Sequence, residues 1–577
     1  MKKIIIPIVL ILAAGGAAIY FFVAVPSGGN NSATVAVPAQ TLFYVGASGN
    51  SEFARSNSAI RKANLESMQG NIDQYRKLAP RYGQAGRFVE GLFETYLDHV
   101  VQGKPIPGMS HSPTFVAYTV GLVPVLRMKL TDAAAFKQYL DEAEQRGGAH
   151  ATAGTFQGVS YREYSLKFNR KPTRSALLVA VRPHYVVFTI DAPAFRDAAL
   201  PVALGLKAPA KTLTQSGLLR RIADKNGFER GNIAFINHQA IVAALTGAPG
   251  NLAGKMLAQV DAKNQLASLR SPACRQDMQS IAKVWPITVM GVVPNNAAAA
   301  GDITIQERMV SRLTDPSLTA QLGKLRGHIP AVLADGSAQP MLAFALGLNA
   351  ANLAPVLSQL QQRFVHADFH CDWLMKTQRD VARKNPAART AAAALFSGVR
   401  GVSLSVFGLN PAAGPGVASL DALVDISATH PRELFQMAKR MKPRLLGQVQ
   451  LPSNGSSVAL MRGKGAPPVR AMIAGKHLVF FIGQQASKAA QNLAADKLQP
   501  NGVMYYRIDY AKVMPVLVEF MSLHQEKKPG NAAALQQLKE RMRHFGKFKL
   551  RVKASMDFGN EGVVVKGKVS AAKPAGE

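Results

Sequence analysis

RMKLTDAAAFKQYLDEAE (Arg127 to Glu144), GTFQGVSYREY (Gly154 to Tyr164) and ALLVAVRPHYVVFTIDAPAFRDAA (Ala176 to Ala199) decide how this chain folds. The first piece reads as a strand running through a cap into a helix, the second as a turn and strand. The third reads as two strands joined by a tight turn and leading into a helix. Much later the same order returns in ALVDISATHPRELFQMAKRM (Ala422 to Met441), NGSSVALMRG (Asn454 to Gly463) and VRAMIAGKHLVFFIGQQASKAAQ (Val469 to Gln491). The copies share apolar pattern and turn chemistry more than residue identity. They predict a duplicated fold and no shared reaction.

The punctuation around these pieces agrees. Thr131 or Asp132 suits the N-cap of a helix over 133–146, which Gly147-Gly148 ends. Arg182-Pro183-His184 and Gly475-Lys476 read as hairpin turns, and Gly121-Leu122-Val123-Pro124 as a breaker between strands. The opening strands TLFYVGA (from Thr41) and MLAFALG (from Met341) match each other. Each half closes with a helix and paired strands, WPITVMGVV with AGDITIQERM and KFKLRVKASMDF with GVVVKGKVSA. The expectation is an α+β protein of two related halves with mainly antiparallel sheets, over residues 35–312 and 328–572.

A chain of 577 residues exceeds one ordinary core, and 48% hydrophobic with 18% charged residues lets most of it fold. Behind Lys2 and Lys3 an apolar run extends from Ile4 to Val25. At a helical rise it spans roughly 33 Å, enough for a hydrocarbon core of about 30 Å. The lysines keep the short amino terminus in the cytoplasm and send the rest outward. Residues 1–26 thus read as a membrane anchor, a transmembrane helix held in the inner membrane by residues 4–25, and 27–34 as a flexible tether. A cleaved signal peptide is the other reading, although its apolar region is usually shorter.

Cys274 and Cys371 fit export, because an even pair in an oxidising compartment is bridged more often than free. Two buried thiols are the alternative. HADFHC brings His366 and His370 to a helical spacing suited to a metal, but no CxxC or second HxxxH completes a zinc set. Ser280-Ile281-Ala282-Lys283 matches the S-x-x-K pattern in which Lys283 would activate Ser280. No S-D-N or K-T-G partner accompanies it, and the same residues make sense as the end of an amphipathic helix. Phosphate loops and dinucleotide fingerprints are missing, so no cofactor is expected. Trp285 and Trp373 read as packing residues.

Charge speaks of partners. Lysine and arginine number 68 against 35 acidic residues, a formal net charge of +33. Such a surface favours anionic envelope components such as lipid head groups, lipopolysaccharide or acidic glycans. Basic residues concentrate at Arg170 to Arg174, at Lys439, Arg440, Lys442 and Arg444, and at Lys539, Arg541, Arg543, Lys547, Lys549 and Arg551. Few aromatics interleave with them and no nucleic-acid module is recognisable, which argues against nucleic acid. Solvated helix faces and strand edges are the bland account of all three runs.

VPAQTLFYV (Val37 to Val45) resembles the V-P-A-x-T-L-x-Y-V opening strand of a group of uncharacterised bacterial exported proteins with an amino-terminal anchor and repeated strand-helix units. The resemblance implies a single-pass inner-membrane protein with its bulk in the periplasm, and no catalytic residues. The leading expectation is a non-enzymatic protein that binds or scaffolds an envelope component. The alternatives are a periplasmic serine hydrolase or peptidoglycan enzyme built on Ser280, and a lipid-handling protein with a groove between the halves.

Overall fold

The structure, a computed structural model, describes residues 37–47, 76–102, 104–110, 113–168, 171–261, 264–294, 302–334, 338–384, 396–410, 420–461, 468–525 and 549–572. The anchor, the tether, and Lys539, Arg541, Arg543 and Lys547 lie outside these residues. Among the described residues no helix is long and apolar enough to cross a membrane. The chain divides into two compact α+β units, residues 1–297 with 369–374 and residues 298–368 with 375–577.

The first unit carries β1 (Phe43–Ala47), β2 (Phe115–Val120), β3 (Val123–Lys129), β4 (Thr152–Phe156), β5 (Val159–Phe168), β6 (Lys171–Val181), β7 (Tyr185–Asp191), β8 (Ile233–Asn237) and β9 (Ile287–Val293). They pair antiparallel in the order β4-β5-β6-β7-β3-β2-β1-β8-β9. The hairpin turns fall where the sequence puts them, Gly121 and Gly475 taking φ of +60° and +58°. Asp132 caps the helix Ala133–Gly147 by accepting from the amides of Ala134 and Ala135 at 2.8 and 3.0 Å, and Gly148 ends it in the left-handed conformation.

That helix and Gln84–Val101 close one face of this sheet. Phe88, Phe136, Tyr139 and Leu140 pack onto Phe43, Val45, Phe115 and Met128, all buried. The two helices approach so closely that a Cβ on Gly147 would fall 2.0 Å from the Arg87 carbonyl oxygen. On the opposite face Leu200 and Leu204 cover Leu178, Ala180 and Val159.

The second unit carries β10 (Asp302–Arg312), β11 (Leu342–Leu346), β12 (Val399–Leu409), β13 (Leu420–Ala428), β14 (Val458–Met461), β15 (Val469–Ala474), β16 (His477–Ile482), β17 (Met504–Asp509), β18 (Arg551–Gly559) and β19 (Gly562–Ala572). Their antiparallel order is β14-β15-β16-β13-β12-β11-β17-β18-β19-β10. The run from β14 to β18 repeats, strand for strand, the order from β5 to β9 in the first unit. Strand β10, read from sequence as the end of the first half, pairs with β19 along its whole length.

One face of the second sheet is closed by the helix Gln484–Asn492, whose Ala486, Ala489 and Ala490 lie on Ala343, Leu423, Val479 and Phe481. The other face is covered over β15 and β16 by Phe435 of the helix Pro431–Met441, packed on Ala471 and Leu478. Along β11 and β12 that same face is only partly covered among the described residues, with Phe344, Leu346, Val402 and Leu404 exposed.

Candidate functional site

The sequence VSLSVF in β12 alternates apolar and polar residues, and simple patterning puts its apolar residues in the core. The structure reverses this. Ser403 and Ser405 are buried, at 2% and 1% exposed, whereas Val402 and Leu404 are 43% and 40% exposed. Their cross-strand partners continue the patch: Leu346 opposite Val402 and Phe344 opposite Leu404 on β11, with Val424 opposite Leu404 on β13. Leu346, Phe344 and Val424 are 40%, 42% and 36% exposed, so the surface is apolar across three strands. Burying two seryl hydroxyls to leave valine and leucine in water costs stability on both counts.

At the end of this patch lies a groove of about 340 Å³, towards the lower end of the roughly 300–1,000 Å³ typical of ligand sites. Leu346, Val402 and Ile426 form its floor, Leu353 of the helix Ala350–Val365 one wall, and Leu434 of the helix Pro431–Met441 another. Its lining side chains are all apolar. Leu434 and Met441 stand seven residues apart on one helical face, and Met441, like Leu445 beyond it, is 60% exposed. Lys439 and Arg440 occupy the last turn of that helix, and Lys442 and Arg444 follow it. Leu434, near the start of this helix, lines the groove, and the basic residues stand on and after its last turn.

Of the second basic run read from sequence, only Lys549 and Arg551 are among the described residues. Lys549 and Arg551 belong to the approach to and start of β18, four places along the sheet from β13. Arg551 is paired with the buried Asp509 through Nε at 3.2 Å.

The reverse face of β13 holds a second feature that the sequence reading missed. Asp425 and Ser427, flanking the groove residue Ile426, point into the core and are fully buried. Asp425 Oδ1 lies 2.9 Å from His477 Nδ1, and Asp425 Oδ2 accepts from Ser427 Oγ at 2.8 Å. His328 Nε2 is 3.2 Å from Asp496 Oδ2, which also accepts the Ala331 amide at 2.8 Å. The Gln499 amide donates to His328 Nδ1 at 3.2 Å. Burial pulls the His477 imidazole down, but the Asp425 hydrogen bond and the charges of Asp425 and Asp496 carry it net upward. Burial likewise raises Asp496, yet bonds from His328 and Ala331 and the charges of both histidines hold it below the usual carboxylate range. No local motif announces these residues, since they come from four distant stretches of chain.

The remaining candidates read from sequence are dispersed. Ser280 is exposed on the helix Pro272–Val284 and donates its hydroxyl to the Gln276 carbonyl at 3.0 Å, so it is engaged by its own helix. Lys283 lies one turn further along that helix. His366 and His370 do not share a helix, because Ala350–Val365 stops before them and Asp372–Ala382 starts after. The Asp277 carboxylate holds the intervening segment by accepting the amides of His370 and Cys371 at 2.7 and 2.8 Å. His366 binds the Gln362 carbonyl through Nδ1 at 2.8 Å. Cys274 and Cys371 are joined in a disulfide and buried in the first unit. Trp285 and Trp373, read as packing residues, are instead 49% and 46% exposed. No family model, curated protein or solved structure matches the chain, which leaves its own residues to argue its function.

Proposed function

We propose that this is a non-enzymatic envelope protein, tethered to the inner membrane by residues 4–25, that binds an anionic amphiphile in the groove of its second unit. The apolar chain would lie on Leu346, Val402 and Ile426, and the anionic head would meet Lys439, Arg440, Lys442 and Arg444. The observation that carries the reading is the reversed alternation of β12, which keeps apolar side chains at a slot rather than in the core. The net charge of +33 supports an anionic head group over a zwitterionic one. The disulfide supports an oxidising compartment.

Dodecyl phosphate, titrated below its micelle concentration into the detergent-free chain and followed by calorimetry, tests this. One site is expected, lost in Val402→Glu and weakened at least tenfold in the triple variant K439E/R440E/K442E. Binding of the wild type should also weaken as salt rises. Unchanged binding in a folded Val402→Glu protein would refute the reading.

A further inference from the structure

The buried cluster behind β13 gathers three side chains of metal-ligating type. One ring nitrogen of His328, one of His477 and a carboxylate oxygen of Asp496 all lie within 4.8 Å of one another. We propose that these three residues bind a single divalent transition-metal ion of zinc's class, which clamps the second unit.

Three observations carry this. First, His477 is fully buried and its Nε2 makes no hydrogen bond of good geometry, with only a weak contact to the Asp496 backbone near the ring, a costly arrangement for a polar atom. Second, the orientation of that ring is already the one a metal needs. Nδ1 faces the Asp425 carboxylate at 2.9 Å, which leaves Nε2 as the ring nitrogen that an ion would take. A carboxylate behind a histidine is the usual support of a metal-ligating imidazole. Third, the charges balance. With both imidazoles neutral as ligands, Asp425 and Asp496 leave two negative charges in a buried place, and a divalent cation neutralises them.

The donor set, two imidazoles and a carboxylate, suits zinc or cobalt better than calcium or magnesium. With both cysteines in the disulfide, thiolate ligation is not available to compete. Bonds of about 2.0–2.1 Å require the three ligand atoms to draw together by about an ångström. Loading also moves a proton. His328 Nε2 now faces Asp496 while Nδ1 accepts the Gln499 amide; to ligate through Nε2, the ring must shift its single proton to Nδ1, towards the Gln499 carbonyl 3.4 Å away. His328 precedes the short helix Ala331–Ala334, His477 opens β16 and Asp496 follows the turn Leu493–Ala495, so the ion would tie three separate stretches together.

The test uses the full chain freed of metal by chelator dialysis. Zinc is titrated by calorimetry, and cobalt is added separately for its visible spectrum. One equivalent of zinc with micromolar or tighter affinity is expected, together with a raised Tm and cobalt bands typical of four-coordinate nitrogen and oxygen ligation. Affinity should fall at least a hundredfold in His477→Gln, and about ten- to a hundredfold in Asp425→Asn, which touches no metal. His366→Gln with His370→Gln should leave it unchanged. Failure of the wild-type chain to bind one equivalent, or a cobalt spectrum of the aqueous six-coordinate type, overturns the proposal without recourse to any variant. So does full affinity in His477→Gln.

Discussion

Asp315 caps the helix Pro316–Gly323 by accepting the Leu318 amide at 3.0 Å, and its other oxygen is paired with Arg363. The Arg363 hydrogen bond and then the Leu318 amide hold its carboxyl below the ordinary range of 3.8. A carboxylate depressed in the folded state stabilises above its unfolded pKa and loses that contribution as pH falls through the folded value. Asp315→Ala should therefore cost about 1 kcal/mol at pH 7, with the gap closing below pH ~4. Urea unfolding at both pH values measures it. Caps of this kind are partly legible from residue type, as Asp132 was, because the side chain bonds amides two or three residues away. His328, Asp425, His477 and Asp496 were not legible, because their relation exists only after β13 and β16 have paired.

Elements succeed or fail on how their faces are covered. In the first unit Gly147→Ala should cost about 1–3 kcal/mol by overpacking, since its Cβ would strike the Arg87 carbonyl of the facing helix. Gly323→Ala, where a Cβ meets open space, should be neutral or stabilising by up to ~1 kcal/mol. Comparing the two in urea separates helix crossing from helix propensity. The hairpins were legible because Arg182-Pro183-His184 and Gly475-Lys476 are local turn chemistry. The face presented by β12 was not, and the pattern rule pointed the wrong way. VSLSVF tells which residues share a face and stays silent on which face a helix will cover. That inversion is where local preference gives way to the surface proposed above to bind a ligand.

At the scale of the whole molecule, two units with the same strand order over eight strands make a duplicated ancestor the simplest proposal, and the two differ in how their sheets are covered. The first unit closes its sheet with a tight helix pair, whereas the second leaves an apolar slot. The disulfide spans 97 residues of sequence within which much of the second unit begins. Replacing both cysteines by serine should cost about 2–5 kcal/mol, read from urea unfolding of oxidised wild type against the variant. Composition shows a strongly basic chain and carries the expectation of export, but neither can locate a groove.

The most direct test of the account is native mass spectrometry of the full chain extracted from the inner membrane, where the proposal places it. It should carry one anionic lipid per chain, and Val402→Glu, folded and with its disulfide formed, should carry none. Equal lipid on both proteins, or none on the wild type, would contradict it.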